Sequence, residues 1–347
     1  MRKSEFFGMA PTAAVELLAA APVVHLAATN ERGEPVLRTL HAVVLGGAIY
    51  FHGAPVGEKA EAIGRAAVIA AEEVVATIPS HVFDPERACP ATTYYRSAQA
   101  HGVLEGVEDV GVKARVLQAL MEKHQPDGGY RPITADDPLY RGAVRGIGVV
   151  RMGLGRVDGK AKLGQNRRPE ELSRVVEFLW RRGEVSDLRA IELVLAANPG
   201  VAVPEFLRGP EGVQMACALG PADVEAACDL LDGAYWNEDV PRDTLARAHV
   251  GAQAWVGARE AETGRLIATG RAVSDRAKWA WLYDVSVAPA WRGRGVGRAL
   301  VRLLLAHPAV RGARRVRLRT RDAQGLYRGF GFVEGSARHA EMELVRG

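Results

Sequence analysis

The chain has 347 residues, more than one compact hydrophobic core usually holds, so we expect two domains. Hydrophobic residues make up 48% and charged residues 25%, a balance that is typical of globular proteins and excludes disordered and fibrous classes. The formal net charge is +4, and the sequence shows no basic stripe interleaved with aromatic residues, so we expect no nucleic-acid partner.

The three cysteines, Cys89, Cys217 and Cys228, are too few and too scattered for a disulfide framework or a metal site. We interpret them as buried small apolar residues in a reducing compartment. No segment approaches the ~20 apolar residues that a membrane span needs. Glu16 interrupts the alanine-rich stretch near the start, so we expect no signal peptide. The sequence therefore predicts a cytoplasmic protein with no metal and no membrane partner.

The first 160 residues contain short strand-like segments separated by turn signals. Residues 23–53 predict a meander of strands that includes 36–45 as one strand, with Gly33, Gly46 and Gly47 supplying the positive φ angles of tight turns. Helices are predicted at 11–20, 58–64 and 111–124. Several strands around a few helices favour a small β-barrel over a parallel sheet.

Residues 169–198 are predicted to be helical, with Gly183 and Gly200 near the ends of two helices. We interpret them as an extension that packs along the barrel. Residues 203–212 contain two prolines and two glycines and are the predicted linker. The predicted organisation is a first domain over 1–165, a helical extension and linker over 166–210, and a second domain over 211–347.

The last third of the chain alternates strands and helices. Helices are predicted at 221–236, 241–251, 297–307 and 322–330. Strands are predicted at 213–220, 252–260, 265–274, 278–289, 314–320 and 341–347.

A basic, glycine-rich turn joins the strand over 278–289 to the next helix and carries the most information about function. Backbone N–H groups at a helix N-terminus form a cradle for an anion, and the helix dipole strengthens it. Glycines let the backbone approach that anion, and arginines offer charge-assisted hydrogen bonds. A pyrophosphate is the natural occupant. Two other kinds of site are excluded. A dinucleotide site would need a βαβ unit with an acidic residue about 20 positions on, which the sequence lacks. A nucleotide P-loop would need lysine followed by Ser or Thr, which is also missing here. The turn comprises Arg292, Gly293, Arg294, Gly295, Val296, Gly297 and Arg298.

The pattern R-x-x-G-x-G after a strand resembles the pyrophosphate-binding motif of the GNAT acetyltransferases. The downstream run LRTRDAQGLYRGFGF resembles the segment that closes their acetyl-CoA site, and the likeness covers residues 213–347. It is closest to a subgroup with a D-V-x-V strand, here 284–287, although Gln324 stands where those relatives often have histidine.

This resemblance implies a role for each matching residue. The main chain of Val285 and Val287 would run alongside the pantetheine arm of acetyl-CoA, and the turn 292–298 would hold its pyrophosphate. Tyr327 would be the general acid that protonates the leaving thiolate; the alternative is a tyrosine that only packs in the core. Asp284 is the candidate general base, with a hydrogen-bonding or substrate-contacting role, or a water relay, as alternatives. The acceptor is a small-molecule amine, which we expect to lie near residues 235–239, namely Tyr235, Trp236, Asn237, Glu238 and Asp239.

Basic and hydroxyl side chains at strand ends mark the first domain, and such groups can converge on a phosphate. Residues 35–63 and 92–124 resemble the pyridoxamine 5′-phosphate oxidase-like split barrels, especially their nitroimidazole-reductase branch. The resemblance covers most of 15–175 and implies FMN as cofactor, bound at a homodimer interface. The residues that would surround it are Arg38, Thr39, His52, Lys59, Arg96 and Ser97.

Together these features predict an α+β fold of two domains: an N-terminal FMN-binding split β-barrel and a C-terminal GNAT α/β fold with a mixed sheet. Our first interpretation is a bifunctional protein, an acetyl-CoA-dependent N-acetyltransferase fused to an oxidoreductase-like barrel. The alternatives are a barrel that only binds flavin or only dimerises, and a regulatory protein. A heme with His52 and His81 as axial ligands, a deazaflavin, or an empty barrel are further alternatives for the first domain.

Overall fold

Two units make up the chain in the computed structural model, Met1–Arg168 and Pro169–Gly347, and the structure describes residues 4–334. The predicted closing strand over 341–347 lies outside the described residues. No helix within 4–334 is both long and apolar enough to cross a membrane. In the same range, no group of three or more His, Cys, Asp or Glu side chains is placed to hold a metal ion.

The sequence pattern predicts a small β-barrel, and the first unit is built from two antiparallel sheets. One sheet has the strand order β1-β10-β7-β6-β2-β3 and the other the order β4-β5-β9-β8. The strands are β1 Gly8–Met9, β2 Val24–Thr29, β3 Pro35–Leu40, β4 Ala42–Leu45, β5 Ala48–Gly53, β6 Ala66–Ile78, β7 Thr92–Val103, β8 Glu105–Val107, β9 Gly148–Gly153 and β10 Arg156–Lys162. The helices are α1 Ser4–Phe7, α2 Pro11–Ala20, α3 Glu58–Glu61, α4 Val110–His124 and α5 Arg141–Gly146.

The core of this unit contains side chains from both sheets and from α2. Leu18 of α2, Leu26 of β2, Phe51 of β5 and Met152 of β9 are all fully buried in one cluster. Burying each such side chain stabilises the fold by ~1.5–3 kcal/mol. Cores of this kind specify the pairing of the sheets, because shifting a strand by one residue would turn its apolar side chains to water.

Two expectations for this unit need correction. Residues 36–45 do not form one strand, because the chain passes from one sheet to the other at His41, between β3 and β4. Cys89 is exposed rather than buried, since it lies in the irregular segment before β7, whereas Cys217 and Cys228 are buried as expected.

The second unit contains a mixed five-stranded sheet in the order β11-β12-β13-β14-β15, antiparallel except for the parallel pair β14 and β15. Its strands are β11 Val213–Ala216, β12 Ala254–Glu260, β13 Leu266–Ser274, β14 Trp279–Val287 and β15 Arg315–Arg317. Its helices are α6 Pro169–Arg182, α7 Val185–Ala197, α8 Val224–Leu230, α9 Arg242–Val250, α10 Val296–Ala306 and α11 Gln324–Arg328.

Helices α6 and α7 belong to this second unit, which begins at Pro169. The indole of Trp180 on α6 lies edge-on to the imidazole of His307, just after α10. The carboxylate of Glu192 on α7 accepts a hydrogen bond from the backbone N–H of Cys217, at 2.6 Å.

Helix α10 lies against β13 because Gly270 has no side chain there. A Cβ atom at Gly270 would be only 3.1 Å from Cδ1 of Leu304 and 3.3 Å from Cδ2 of Leu300. The helix predicted over 221–236 is shorter in the structure, because α8 ends at Leu230 and Gly233 adopts a φ of 69°. The chain then forms a short 3-10 turn, Tyr235–Asn237, beside the C-terminal half of β14.

Candidate active site

A cleft of about 1060 Å³ opens in the second unit where two parallel strands separate. Strands β14 and β15 pair only over Trp279–Trp281 and Arg315–Arg317, and they diverge after Trp281. From Leu282 to Val287, β14 pairs with β13 on one side and has no strand partner on the other within residues 4–334. The free backbone groups of this edge can pair with an extended ligand as an added strand would.

The N-terminus of α10 lies at the end of this open edge. Gly293 and Gly295 have φ angles of 73° and 83°, and Gly295 is the N-cap of the helix. Side chains other than glycine are strained in that region, so both glycines are needed for the turn to close. The turn exposes the first N–H groups of α10 as an anion cradle, and Gly297 leaves the approach from the cleft open.

The three arginines of the turn contact different neighbours. Arg292 donates from Nε to the carbonyl oxygen of Val287 at 3.0 Å and lines the cleft. The guanidinium of Arg294 lies 5.1 Å from the ring centre of Trp291. The guanidinium of Arg298 lies 5.4 Å from the ring centre of Phe330. These contacts hold the cations beside the helix N-terminus without neutralising their charge.

Tyr327 of α11 lines the opposite wall of the cleft and is only 8% exposed. Burial raises the pKa of its phenol to about 12, and Tyr235 and Asp322 add to the effect. Its ring packs edge-on against Phe332, with 5.8 Å between ring centres. The phenol therefore keeps its proton at neutral pH, as a general acid must.

Asp284 lies on the floor of the cleft with a φ of 53°, a rare value for a residue other than glycine. The strand pairing with β13 is irregular at this point, so Asp284 occupies a bulge. Arg271 donates from Nε to Oδ2 at 2.5 Å. Trp236 Nε1 and Asn237 Nδ2 donate to Oδ1 at 3.1 and 3.2 Å. Both oxygens of this nearly buried carboxylate are thus occupied, which suits an anchoring role better than proton abstraction.

The hydrogen bonds from Trp236 and Asn237 to Asp284 also hold the wall of the cleft near which the acceptor amine is predicted to lie. Tyr235 lines the cleft, and its hydroxyl accepts a hydrogen bond from the backbone N–H of Arg321 at 2.8 Å. The guanidinium of Arg321 stacks over the Tyr235 ring at 3.8 Å. Glu238 faces a neighbouring cavity instead of the cleft, and Asp239 lines neither.

Sequence reasoning missed Arg271 and Arg321. Arg271 lies on β13, opposite Tyr283 in the strand register. No motif marks it, because its role depends on a pairing between separate strands. Arg321 could have been found from the sequence, because arginines stand at every second position from 315 to 321. A period of two places such residues on one face of a strand.

In the first unit, three of the predicted phosphate-binding residues come together near α3. Arg38 of β3 forms an ion pair with Glu58 at the start of α3. Lys59 lies against Gly53, where an added Cβ would be 2.5 Å from Nζ. Partial burial lowers the pKa of His52 on β5, and the nearby charges of Lys59 and His41 lower it further.

The other three predicted residues lie apart from this group or on its border. Thr39 accompanies Arg38 on β3, and its hydroxyl is 3.4 Å from Nδ1 of His25. Arg96 and Ser97 are on β7, where Arg96 donates from Nε to Glu73 at 2.8 Å. Since β7 is separated from β3 by two strands, the two strands are about 14 Å apart at ~4.8 Å per strand.

Comparisons with known proteins identify both units. Residues 11–161 match the family model described as pyridoxamine 5′-phosphate oxidase. Residues 224–332 match the model of the acetyltransferase (GNAT) family. Among curated protein sequences, none is significantly similar to this chain.

Solved structures with similarity to one unit or the other were also found. A structure described as belonging to the GNAT family, from Xanthomonas campestris pv. campestris, is 32% identical; the match covers 40% of this chain and 96% of that one, with a TM-score of 0.34. An FAD- and heme-binding protein from Mycobacterium smegmatis is 17% identical over 48% of this chain and 79% of its own, with a TM-score of 0.40. A protein described as a 5-nitroimidazole antibiotic resistance protein, from Bacteroides thetaiotaomicron, is 18% identical over 44% and 85% of the two chains, with a TM-score of 0.36.

The matches agree with the motifs and with the two sheet systems. The chain therefore joins a domain of the pyridoxamine 5′-phosphate oxidase family to a domain of the GNAT acetyltransferase family.

Proposed function

We propose that the second unit transfers the acetyl group of acetyl-CoA to a primary amine bound in the cleft. The observation that carries this proposal is the meeting of three features in one cleft: an open strand edge, a helix N-terminus and a protonated tyrosine. Each matches a different part of acetyl-CoA, respectively its amide-containing arm, its pyrophosphate and its leaving sulfur.

Binding follows from the geometry of the edge and the turn. The main chain of Val285 and Val287 pairs with the pantetheine arm, which lies along β14 as an extra strand. The N–H groups of residues 293–298 point to the pyrophosphate, and Arg292, Arg294 and Arg298 supply charge near it.

The chemistry requires a nucleophile, a proton donor and a proton acceptor. The neutral amine nitrogen attacks the thioester carbonyl carbon, the C–S bond breaks, and the sulfur leaves with the proton of the Tyr327 hydroxyl. The proton lost by the amine passes to solvent or to a base. Three donors already occupy three of the roughly four acceptor positions of the Asp284 carboxylate. Its role as base therefore stays a prediction, and its anchoring of Trp236 and Asn237 is the role that we propose.

The first experiment incubates the full chain with acetyl-CoA and a panel of primary amines, including amino acids, polyamines and amine-bearing nucleotides. We expect one free thiol to be released per acetylated amine, with the product identified by mass spectrometry. Boiled protein controls for spontaneous transfer. Calorimetry that detects no binding of acetyl-CoA to the folded chain would rule out the assignment.

We further propose that the first unit binds FMN, with the phosphate held by Arg38, His52 and Lys59. When bound, a flavin supplies hydride-transfer chemistry, and the protein supplies placement and electrostatics. One phosphate cannot contact both Arg38 and Arg96, which are too far apart within the chain. A homodimer that brings Arg96 and Ser97 of a second copy to the same flavin resolves this.

We expect the pKa of His52 to rise when FMN or inorganic phosphate binds. Burial lowers this pKa most, and the charges of Lys59 and His41 lower it further. A bound anion would oppose the effect of those charges by favouring the protonated form. The measurement is a proton NMR titration of the full chain with and without phosphate, with His52→Gln used to assign the signal. If FMN binds while the pKa of His52 stays constant, the phosphate lies elsewhere.

A further inference from the structure

Arginine and aromatic side chains cover one face of the sheet in the second unit. Trp279, Trp281 and Tyr283 occupy alternate positions of β14, and Arg315 and Arg317 occupy alternate positions of the adjacent β15. We call these five residues the arginine–aromatic face. Its two halves are far apart in the sequence, so neither half alone shows a basic stripe interleaved with aromatics. Strand pairing creates that stripe.

The side chains of this face are ordered by stacking. The guanidinium of Arg317 lies 4.5 Å from the ring centre of Trp279 and 5.7 Å from that of Trp281. The guanidinium of Arg315 lies 5.1 Å from the ring centre of Trp279. The rings of Trp281 and Tyr283 stack at 6.2 Å with an interplanar angle of 19°. The result is a row of planar groups in fixed orientations.

The face carries positive charge that acidic side chains do not balance. Neither Arg315 nor Arg317 forms an ion pair within the part of the chain that the structure describes, and both are exposed. Tyr283 is 41% exposed. A hydrophobic core contact would not place two exposed guanidinium groups over half-buried rings, whereas a ligand with negative charge and flat rings would match both features.

The face continues into the active-site cleft. Trp281 and Tyr283 belong to both, and the backbone beyond Arg317 leads to Arg321 on the acceptor wall. A molecule lying on the face could therefore present one end beside the open edge of β14. This continuity associates the face with the acceptor and not with acetyl-CoA, whose proposed pyrophosphate site is at the other end of β14, next to α10.

We propose that the arginine–aromatic face binds a single-stranded nucleic acid. Bases stack on aromatic rings and on guanidinium planes, while arginines neutralise the phosphates, which is the combination used by proteins that bind single strands. A second copy of the chain is a poor occupant, because a two-fold interface would set the same arginines against one another. The expectation of no nucleic-acid partner rested on the sequence pattern alone, and this proposal stands against it.

The test is fluorescence anisotropy of a labelled single-stranded oligouridine titrated with the full chain at about 50 mM salt, where phosphate contacts are strong. We expect binding that weakens steeply as salt is raised. Arg317→Glu should lower the affinity about tenfold or more, and Arg317→Lys should lower it less because the charge remains. Trp281→Ala should lower it about tenfold, and Trp281→Phe only slightly because a ring remains.

The matched control is Arg265→Glu, which makes the same change in net charge on the turn between β12 and β13 and should alter the affinity less than about twofold. Equal losses for Arg265→Glu and Arg317→Glu would show that only net charge matters and would overturn the proposal. The proposal would also be overturned if the folded chain bound no oligonucleotide, or if it bound only anionic lipid vesicles. Titration of the same variants with acetyl-CoA separates this result from the proposed acetyl transfer. The affinity for acetyl-CoA should be unchanged by Arg317→Glu. If the unaltered chain did not bind acetyl-CoA, that result would count against the transferase alone.

Discussion

Replacing Gly297 with aspartate is expected to lower the affinity for acetyl-CoA by about 100-fold or more. The new carboxylate would project from the first turn of α10 into the cleft, where the pyrophosphate is proposed to bind. Two like charges about 4 Å apart repel by ~4 kcal/mol at the effective dielectric of a protein surface, which is enough for this loss. The fold should not suffer, because a carboxylate in the first turn of a helix stabilises it.

The control for this prediction is Gly297→Ala. A Cβ atom at this position would lie 3.7 Å from Val287 Cγ2 and 3.9 Å from Leu326 Cδ2, which are ordinary van der Waals distances. Alanine also favours helix more than glycine by ~1 kcal/mol, so this variant should bind acetyl-CoA within a few-fold of the original chain. Calorimetry measures both affinities. Stability can be followed by tryptophan fluorescence, which reports on the second unit alone because all six tryptophans lie after residue 168. Equal affinities for the two variants would mean that no anion binds at this helix.

The sequence was most informative where the function depends on consecutive residues. The turn before α10 is such a case, because two glycines at positive φ and the first N–H groups of one helix are all adjacent in the chain. The mixed sheet could also be predicted, since each strand of the second unit has its own alternating pattern. Local patterns of this kind survive folding because neighbouring residues remain neighbours.

Contacts between separate elements could not be predicted in this way. Asp284 was placed correctly on its strand, but its partners Arg271, Trp236 and Asn237 come from other parts of the chain. The positive φ of Asp284 could not be predicted from the sequence either, because a strand bulge depends on how two strands align. The strain persists because three hydrogen bonds hold the carboxylate.

The first unit shows the same limit at the level of strand order. Arg38 and Arg96 both lie on strands with alternating patterns, and the family resemblance assigned both of them to one ligand. In the structure two strands separate β3 from β7, and both arginines face carboxylates, Glu58 and Glu73 respectively. A phosphate at either arginine would have to compete with that carboxylate. This competition predicts weaker phosphate binding than the count of basic residues suggests.

Replacing Tyr327 with phenylalanine is expected to lower kcat by about 10²–10³-fold, while the affinity for acetyl-CoA stays nearly unchanged. The magnitude is that of a lost general acid, and the phenyl ring keeps the packing against Phe332. Tyr235→Phe is the matched control, because it removes another hydroxyl from the same cleft, one that accepts a hydrogen bond from Arg321. We expect that variant to raise KM for the amine more than it lowers kcat.

The pH dependence of kcat/KM tests whether the phenol of Tyr327 keeps its proton while the amine substrate titrates. Because burial raises the pKa of Tyr327 to about 12, the acid stays protonated throughout the range in which the amine substrate loses its proton. The profile should therefore rise as the amine becomes neutral and then stay level to about pH 11, with no descending limb from the tyrosine. A descending limb near pH 10 that disappears in Tyr327→Phe would mean that the phenol is not shielded from water as the structure places it. A phenylalanine variant with unchanged kcat would show that solvent, and not Tyr327, protonates the leaving sulfur.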